Sequence, residues 1–342
     1  MELRSFHPEK VDLNGQSVLI TGGTGSFGKA FIHSLLERCR PGKIIVFSRD
    51  EAKQYEMELE LRSRFPGPLP IRFFIGDVRD RERLELAVRD VDVVVHAAAM
   101  KHVPAAEYNP FECIKTNVYG AENIVRAALD QGIRKVIALS TDKAESPVNL
   151  YGASKLAADK IFVAANNLVG DRPTRFSVVR YGNVLGSRGS VLPFFRDLVN
   201  RGAREIPITD PRMTRFFITL RQGVDFVISS LGMMKGGEIF VPKIPSVKIV
   251  DLAAHVAPGI PHKVVGIRPG EKLHEVLISG DNARSTVEYP DRYVIEPALA
   301  FWQNGQYEEL GARRVDEEFI YASHTNPEWL NGAGMTAMLK AC

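Results

Sequence analysis

The chain has 342 residues, 45% of them hydrophobic, enough for one large core or two linked ones, and its length suggests about two domains. Its formal net charge is only +3, with Lys and Arg interspersed among Asp and Glu, which argues against nucleic acid as a partner. Cys39, Cys113 and Cys342 are widely spaced without a C-x-x-C pair, so neither a disulfide framework nor a metal site is indicated; with no apolar signal core in MELRSFHPEK and no apolar run near the ~18 residues of a membrane span, a soluble, cytoplasmic chain is expected.

From Ser17 onward, β-branched apolar runs alternate with longer segments: SVLIT, KIIVFS, IRFFIGDV, VDVVVHAA, KVIALST and RFSVVRYGNV. Continuous hydrophobicity marks strands covered on both faces, and the intervening segments are long enough for crossover helices. The pattern predicts an α/β fold, a doubly wound parallel Rossmann sheet. After about Asn183 the rhythm loosens into Gly- and Pro-rich loops such as GSRGS, IPITDPRMTRF and GIRPGEK. The expected division is a dinucleotide-binding domain over 1–183 and a smaller C-terminal substrate-binding domain over 184–342. The chain is expected to return to the sheet within 216–243, at the short apolar run GGEIFVP.

Between the first strand and the first helix lies TGGTGSFG, with Gly22, Gly25 and Gly28 at intervals of three. Glycines here let backbone approach a pyrophosphate, and the free N–H groups of the new helix attract its charge; Thr24, Ser26 and Phe27 belong to the same turn. The second strand ends in VFSRDE, where a carboxylate favours NAD and a hydroxyl or cation favours NADP. Ser48 and Arg49 point to NADP, with Asp50 on the ribose as the alternative and Lys53 a further candidate cofactor contact. Asp77 and Val78, ending the third strand, are placed for the adenine, and Ala97, Ala98 and Ala99 are small enough for a cofactor to lie against them or for close packing alone.

Tyr151 and Lys155 are four apart on a predicted helix and share a face, so an ammonium beside the phenol would lower its pKa and make it a usable base. Upstream, Asp142 and Lys143 follow the strand-terminal Thr141. Simple alcohol oxidation leaves Asp142 and Lys143 idle. Elimination of water from carbons 5 and 6 of a 4-ketosugar would use both, the amine taking the carbon 5 proton and the carboxylic acid protonating the departing hydroxyl. The bland alternative is a turn cap and a surface cation.

Together with RYGNVLGSRGSV, MTRFFIT and GIRPGEKLHE, these motifs resemble the extended short-chain dehydrogenase/reductases, over about Asn14 to Leu339. Within them the chain is similar to the inverting 4,6-dehydratases of UDP-N-acetylglucosamine. The resemblance implies Lys143 as carbon 5 base, Asp142 as acid, Tyr151 with Lys155 as the oxidation pair, and Thr141 on the carbon 4 oxygen. It also implies NADP as cofactor, with Asn117 among its contacts. Substrate contacts implied are Lys101, Asn183, Arg188, Val191, Arg215, Arg268 and Glu271, the arginines matching diphosphate oxygens. Entry into pseudaminic acid biosynthesis and a homo-oligomer, often a hexamer in relatives, follow from the same resemblance. Alternatives are a capsule-type dehydratase/5-epimerase, a UDP-sugar 4-epimerase, and a silent NADP-binding scaffold.

Overall fold

The computed structural model describes residues 4–7, 11–298, 302 and 305–341; Cys342 lies outside them. Six strands, β1 (Ser17–Thr21), β2 (Lys43–Ser48), β3 (Ile71–Ile75), β4 (Val93–His96), β5 (Lys135–Thr141) and β6 (Arg175–Tyr181), lie parallel in the order β3-β2-β1-β4-β5-β6. Except in the edge strand β3, where Phe73 and Phe74 are only partly covered and Ile75 is exposed, their apolar runs are buried because helices cover both faces, as the continuous hydrophobicity requires. The expected doubly wound sheet is thus present. Ile239–Pro242 extends it, parallel to β6 through Ile239 opposite Val178 and Phe240 opposite Val179. Arg292–Ile295, Thr286–Glu288 and Arg313–Arg314 then continue the sheet antiparallel.

Strand order reverses between β1 and β4, so the C-terminal ends of these neighbours bound the crevice in which ligands of such sheets bind. Across that seam, Thr21 stands opposite His96, and its hydroxyl meets the His96 Nδ1 at 2.8 Å and the Ala97 and Ala98 amides at 3.1 and 3.2 Å. Buried beside Lys155, the His96 imidazole is held down to about 3, first by desolvation and then by that cation.

A second apolar cluster, including Leu192, Phe195, Phe217, Val247 and Leu252, gathers beyond the strand ends. IPITDPRMTRF is not wholly loop. Ile206–Ile208 and Thr214–Ile218 are strands, the latter buried throughout and paired with Ser246–Lys248 and Asn183–Val184. Their pairing partners are remote in sequence, which is why local composition did not reveal them. Among the described residues no helix is long and apolar enough to cross a membrane, and no cluster could hold a metal ion.

Candidate active site

Helix α1 (Ser26–Arg38) starts from Gly25, which has no side chain to cap it, so its first amides are free to face an anion. Gly22 sits at φ +65°, and a Cβ there would meet the Ala98 backbone at 3.0 Å; one on Gly28 would meet Gly23 at 2.5 Å. The turn is therefore packed too closely for side chains, and its shape and free donors fit a dinucleotide pyrophosphate. The Phe27 ring packs against the core, stacking on Phe31 at 5.7 Å. Thr24 lies in the turn itself.

At the end of β2, Ser48 is buried and takes a hydrogen bond from Gln54 at 3.0 Å. Asp50 caps helix Glu51–Arg64 by accepting from the Lys53 amide at 3.0 Å, and its carboxylate also binds Lys53 Nζ. Those bonds to Lys53 hold the Asp50 pKa below its usual value. Arg49 remains largely exposed, 3.7 Å from Asp77, which itself pairs with Arg79 at 2.7 Å. Val78 is buried beneath Gly120. Asn117 lies in a π-helical turn, Lys115–Tyr119, a break in helical register that aims its amide inward. That amide accepts from the Met100 N–H at 2.8 Å and donates to the Met100 carbonyl at 3.0 Å and to Ser154 at 2.9 Å. It holds the loop carrying Ala97, Ala98 and Ala99 in place, and so would act on a cofactor through that loop.

The strand-to-helix junction after β5 assembles the titratable groups. Thr141 caps the turn Asp142–Ala144, and Asn149 caps helix Leu150–Ala165 by accepting from the Gly152 amide at 2.7 Å. Asp142 is fully buried; its Oδ1 accepts from Thr141 Oγ1 at 2.8 Å and Lys143 Nζ at 3.0 Å, while Oδ2 has no partner among the described residues. A buried carboxylate oxygen left in this way carries a desolvation cost of about 1–3 kcal/mol, which a ligand hydroxyl would relieve. Asn183 Oδ1 approaches Lys143 Nζ at 3.5 Å.

The pairing expected between Lys155 and Tyr151 takes a different form. Lys155 Nζ donates to the Leu139 carbonyl at 2.7 Å, and burial lowers its pKa against the pull of Asp159. Burial pushes the Tyr151 phenol up to about 12; Lys143 and a hydrogen bond with Thr141 oppose the rise. The cation acting on the phenol in this structure is Lys143.

A segment over 266–275 straps the junction. Asn149 Nδ2 donates to the Gly270 carbonyl at 2.7 Å, and Lys272 Nζ to the Glu145 carbonyl at 2.5 Å. Arg268 is exposed on this strap beside Glu271, whose Oε2 accepts from the Arg268 amide at 3.2 Å. Arg215, expected on a diphosphate, is instead buried as a strut: it donates to the carbonyls of Thr214, Leu273 and Lys272 at 2.7, 3.1 and 2.9 Å and lies 3.5 Å from Glu275. Its neighbours one residue away in the loop pattern gave no hint of this role. Arg188 reaches the cradle rather than the strap, its amide 3.4 Å from Ser26 Oγ and its carbonyl accepting from Lys101 Nζ at 2.7 Å. Val191 opens helix Val191–Asn200 close by.

Sequence reading missed the charged groups beneath. Glu275 lies 3.3 Å from Lys143 Nζ, and buried Arg180 pairs with Glu145 and, at 3.3 Å, with Asp159. No local spacing links them, since each partner comes from a distant element.

Residues 18–297 match the family described as Polysaccharide biosynthesis protein. A relative from Campylobacter jejuni named UDP-N-acetylglucosamine 4,6-dehydratase (inverting) is 57% identical over 92% of this chain and 95% of that protein. The chain belongs to this family. A further relative, UDP-glucose 4-epimerase of Rickettsia akari, is 38% identical over 92% of this chain and 93% of its own length. The solved structure of Pen from Bacillus thuringiensis superposes with a TM-score of 0.86 at 35% identity, covering 96% of this chain and 98% of that one. These relatives include a nucleotide-sugar dehydratase and a nucleotide-sugar epimerase, which accords with the parallel sheet and the site built above.

Proposed function

We propose that the chain catalyses NADP-dependent 4,6-dehydration of UDP-N-acetylglucosamine with inversion at carbon 5. The product would be UDP-2-acetamido-2,6-dideoxy-β-L-arabino-hex-4-ulose, the first intermediate of pseudaminic acid biosynthesis. The observation that carries the reading is the contact of a fully buried Asp142, with one oxygen lacking a partner, and Lys143 at 3.0 Å, beside Tyr151. Inversion and the N-acetylated substrate are supported by the 57% identity to the Campylobacter enzyme. NADP is supported by the engagement of Asp50 with Lys53, which leaves Arg49 as the open group at the end of β2.

The turn over 22–28 and the end of β2 would hold NADP, which would supply an acceptor for the carbon 4 hydride and a donor for its return to carbon 6. Burial holds the resting Tyr151 phenol at about 12, and Lys143 and Thr141 favour its ionised form against that burial. In that form Tyr151 removes the proton of the carbon 4 hydroxyl, and Thr141 hydrogen-bonds the oxygen. Lys143 takes the carbon 5 proton, made acidic by the ketone, while Asp142 protonates the carbon 6 hydroxyl, which departs as water. Arg268 and Glu271 on the strap meet the UDP, and Asn183 orients the sugar beside Lys143. Lys101 and Arg188 close the corner between cradle and substrate. The exposed rings of Tyr108, Phe111 and Tyr119 support a homo-oligomer.

Purified protein given UDP-N-acetylglucosamine without reductant should yield a product lighter by one water. Proton NMR in deuterated water should show deuterium at carbon 5 and an L-configured ring. Unchanged substrate mass would sink the reading. The 38% identity to 4-epimerases favours one second reading, in which carbon 4 alone is inverted and no mass is lost.

A further inference from the structure

Elimination needs a neutral amine and a protonated acid, yet at rest Lys143 and Asp142 form an ion pair. Moving one proton from the Lys143 ammonium to Asp142 supplies both at once: the N–H bond breaks, the carboxyl O–H forms, and no outside proton is required. When Lys143 then accepts the carbon 5 proton, it becomes a cation again, while the proton on Asp142 leaves with the carbon 6 hydroxyl as water.

During that step Asp142 is neutral or only regaining its charge. Another anion must face the developing ammonium. Glu275 fills this place: it is buried, 3.3 Å from Lys143 Nζ, and its own position is fixed by Arg215 at 3.5 Å, by its amide donating to Ser323 Oγ at 2.9 Å, and by Lys272 at 3.9 Å. Its Oε2 accepts no hydrogen bond among the described residues, so the carboxylate is not saturated by its surroundings.

We propose that Glu275 is a positioning residue for the dehydration, acting through Lys143 as the fixed counter-charge that aims the amine at carbon 5 and stabilises the ammonium formed there. The arrangement is that of a buried carboxylate behind a general base, where the carboxylate orients the base and stabilises its protonated form without itself taking the proton. The proposal rests on the dehydratase reading above. The groups facing Lys143 are Asp142 from its own turn, Glu275 and Lys272 from the strap, Arg215 from Thr214–Ile218 and Tyr151 from its helix. Burial works against the lysine's charge, but Asp142 and Glu275 outweigh it and hold the pKa above the ordinary lysine value.

The test compares wild type, Glu275→Gln and Glu275→Asp with two readouts: exchange of the carbon 5 proton of isolated 4-keto product in deuterated water, and the pH profile of dehydration. For Glu275→Gln, exchange should slow about 10²-fold, with KM for UDP-N-acetylglucosamine within about twofold of wild type. Its alkaline limb should drop toward the ordinary lysine value of about 10.4, where wild type is still flat. Glu275→Asp should recover much of the exchange rate and shift the limb less, and it carries the test should the glutamine variant fail to fold, as judged by thermal melting. Equal exchange rates and an unmoved limb in a folded variant would overturn the role of Glu275. Wild type that fails to dehydrate the substrate would instead overturn the dehydratase reading.

Discussion

At the residue scale, the candidate site is divided between groups close in sequence and groups that only folding brings near. Asp142, Lys143, Tyr151 and Lys155 were legible because one turn and one helix carry them all. Glu275 was not, because it faces Lys143 from a strap more than a hundred residues away. Arg215 shows the same limit: a cation in a loop-like stretch looks freely available, and only the structure shows its guanidinium bonded to the Thr214 carbonyl and to the strap carbonyls of Lys272 and Leu273. Lys143→Ala should abolish loss of water by about 10²–10⁴-fold while leaving oxidation at carbon 4 measurable as a transient rise in nicotinamide absorbance. Full dehydration by that variant would remove Lys143 from the chemistry, and epimerised product from both proteins would favour the 4-epimerase.

At the scale of elements, the caps and the β1–β4 seam set local stability. Asn149 both caps the Tyr151 helix and holds the Gly270 carbonyl, so Asn149→Ala should cost about 1 kcal/mol from the cap and raise KM for the nucleotide-sugar by loosening the strap. Denaturant melts and steady-state kinetics on one preparation check both; an unchanged KM would show that the strap is held elsewhere. His96 gives a pH effect with a definite sign. It stays neutral in the fold down to about 3 but gains a proton in the unfolded chain below its ordinary 6.5, so stability should decline as pH falls from 6.5 toward 3. His96→Gln should flatten that part of a Tm-against-pH curve, and parallel curves would count against it. The parallel strands could be read from sequence because burial on both faces leaves a continuous apolar run. The two- and three-residue strands of the second cluster could not, being defined by partners rather than by composition.

At the scale of the whole molecule, the chain leaves the sheet after β6 and comes back at Ile239–Pro242 to cover that strand's other edge. A piece ending at residue 183 would leave β6 open beside the fully buried Val178 and Val179. Such an edge invites pairing between copies, so the fragment should aggregate under conditions in which the full chain stays dispersed. Light scattering decides it, and a monomeric, folded fragment would show that the return strand is dispensable. The strap has a wider implication for redesign. Because it carries both the exposed Arg268 and the buried Glu275, grafting a relative's strap to alter which nucleotide is accepted would also exchange the charge behind the proton-abstracting amine. On the proposed reading, substrate range and turnover would be wired to one short peptide, and efforts to evolve the first should select on the second at the same time.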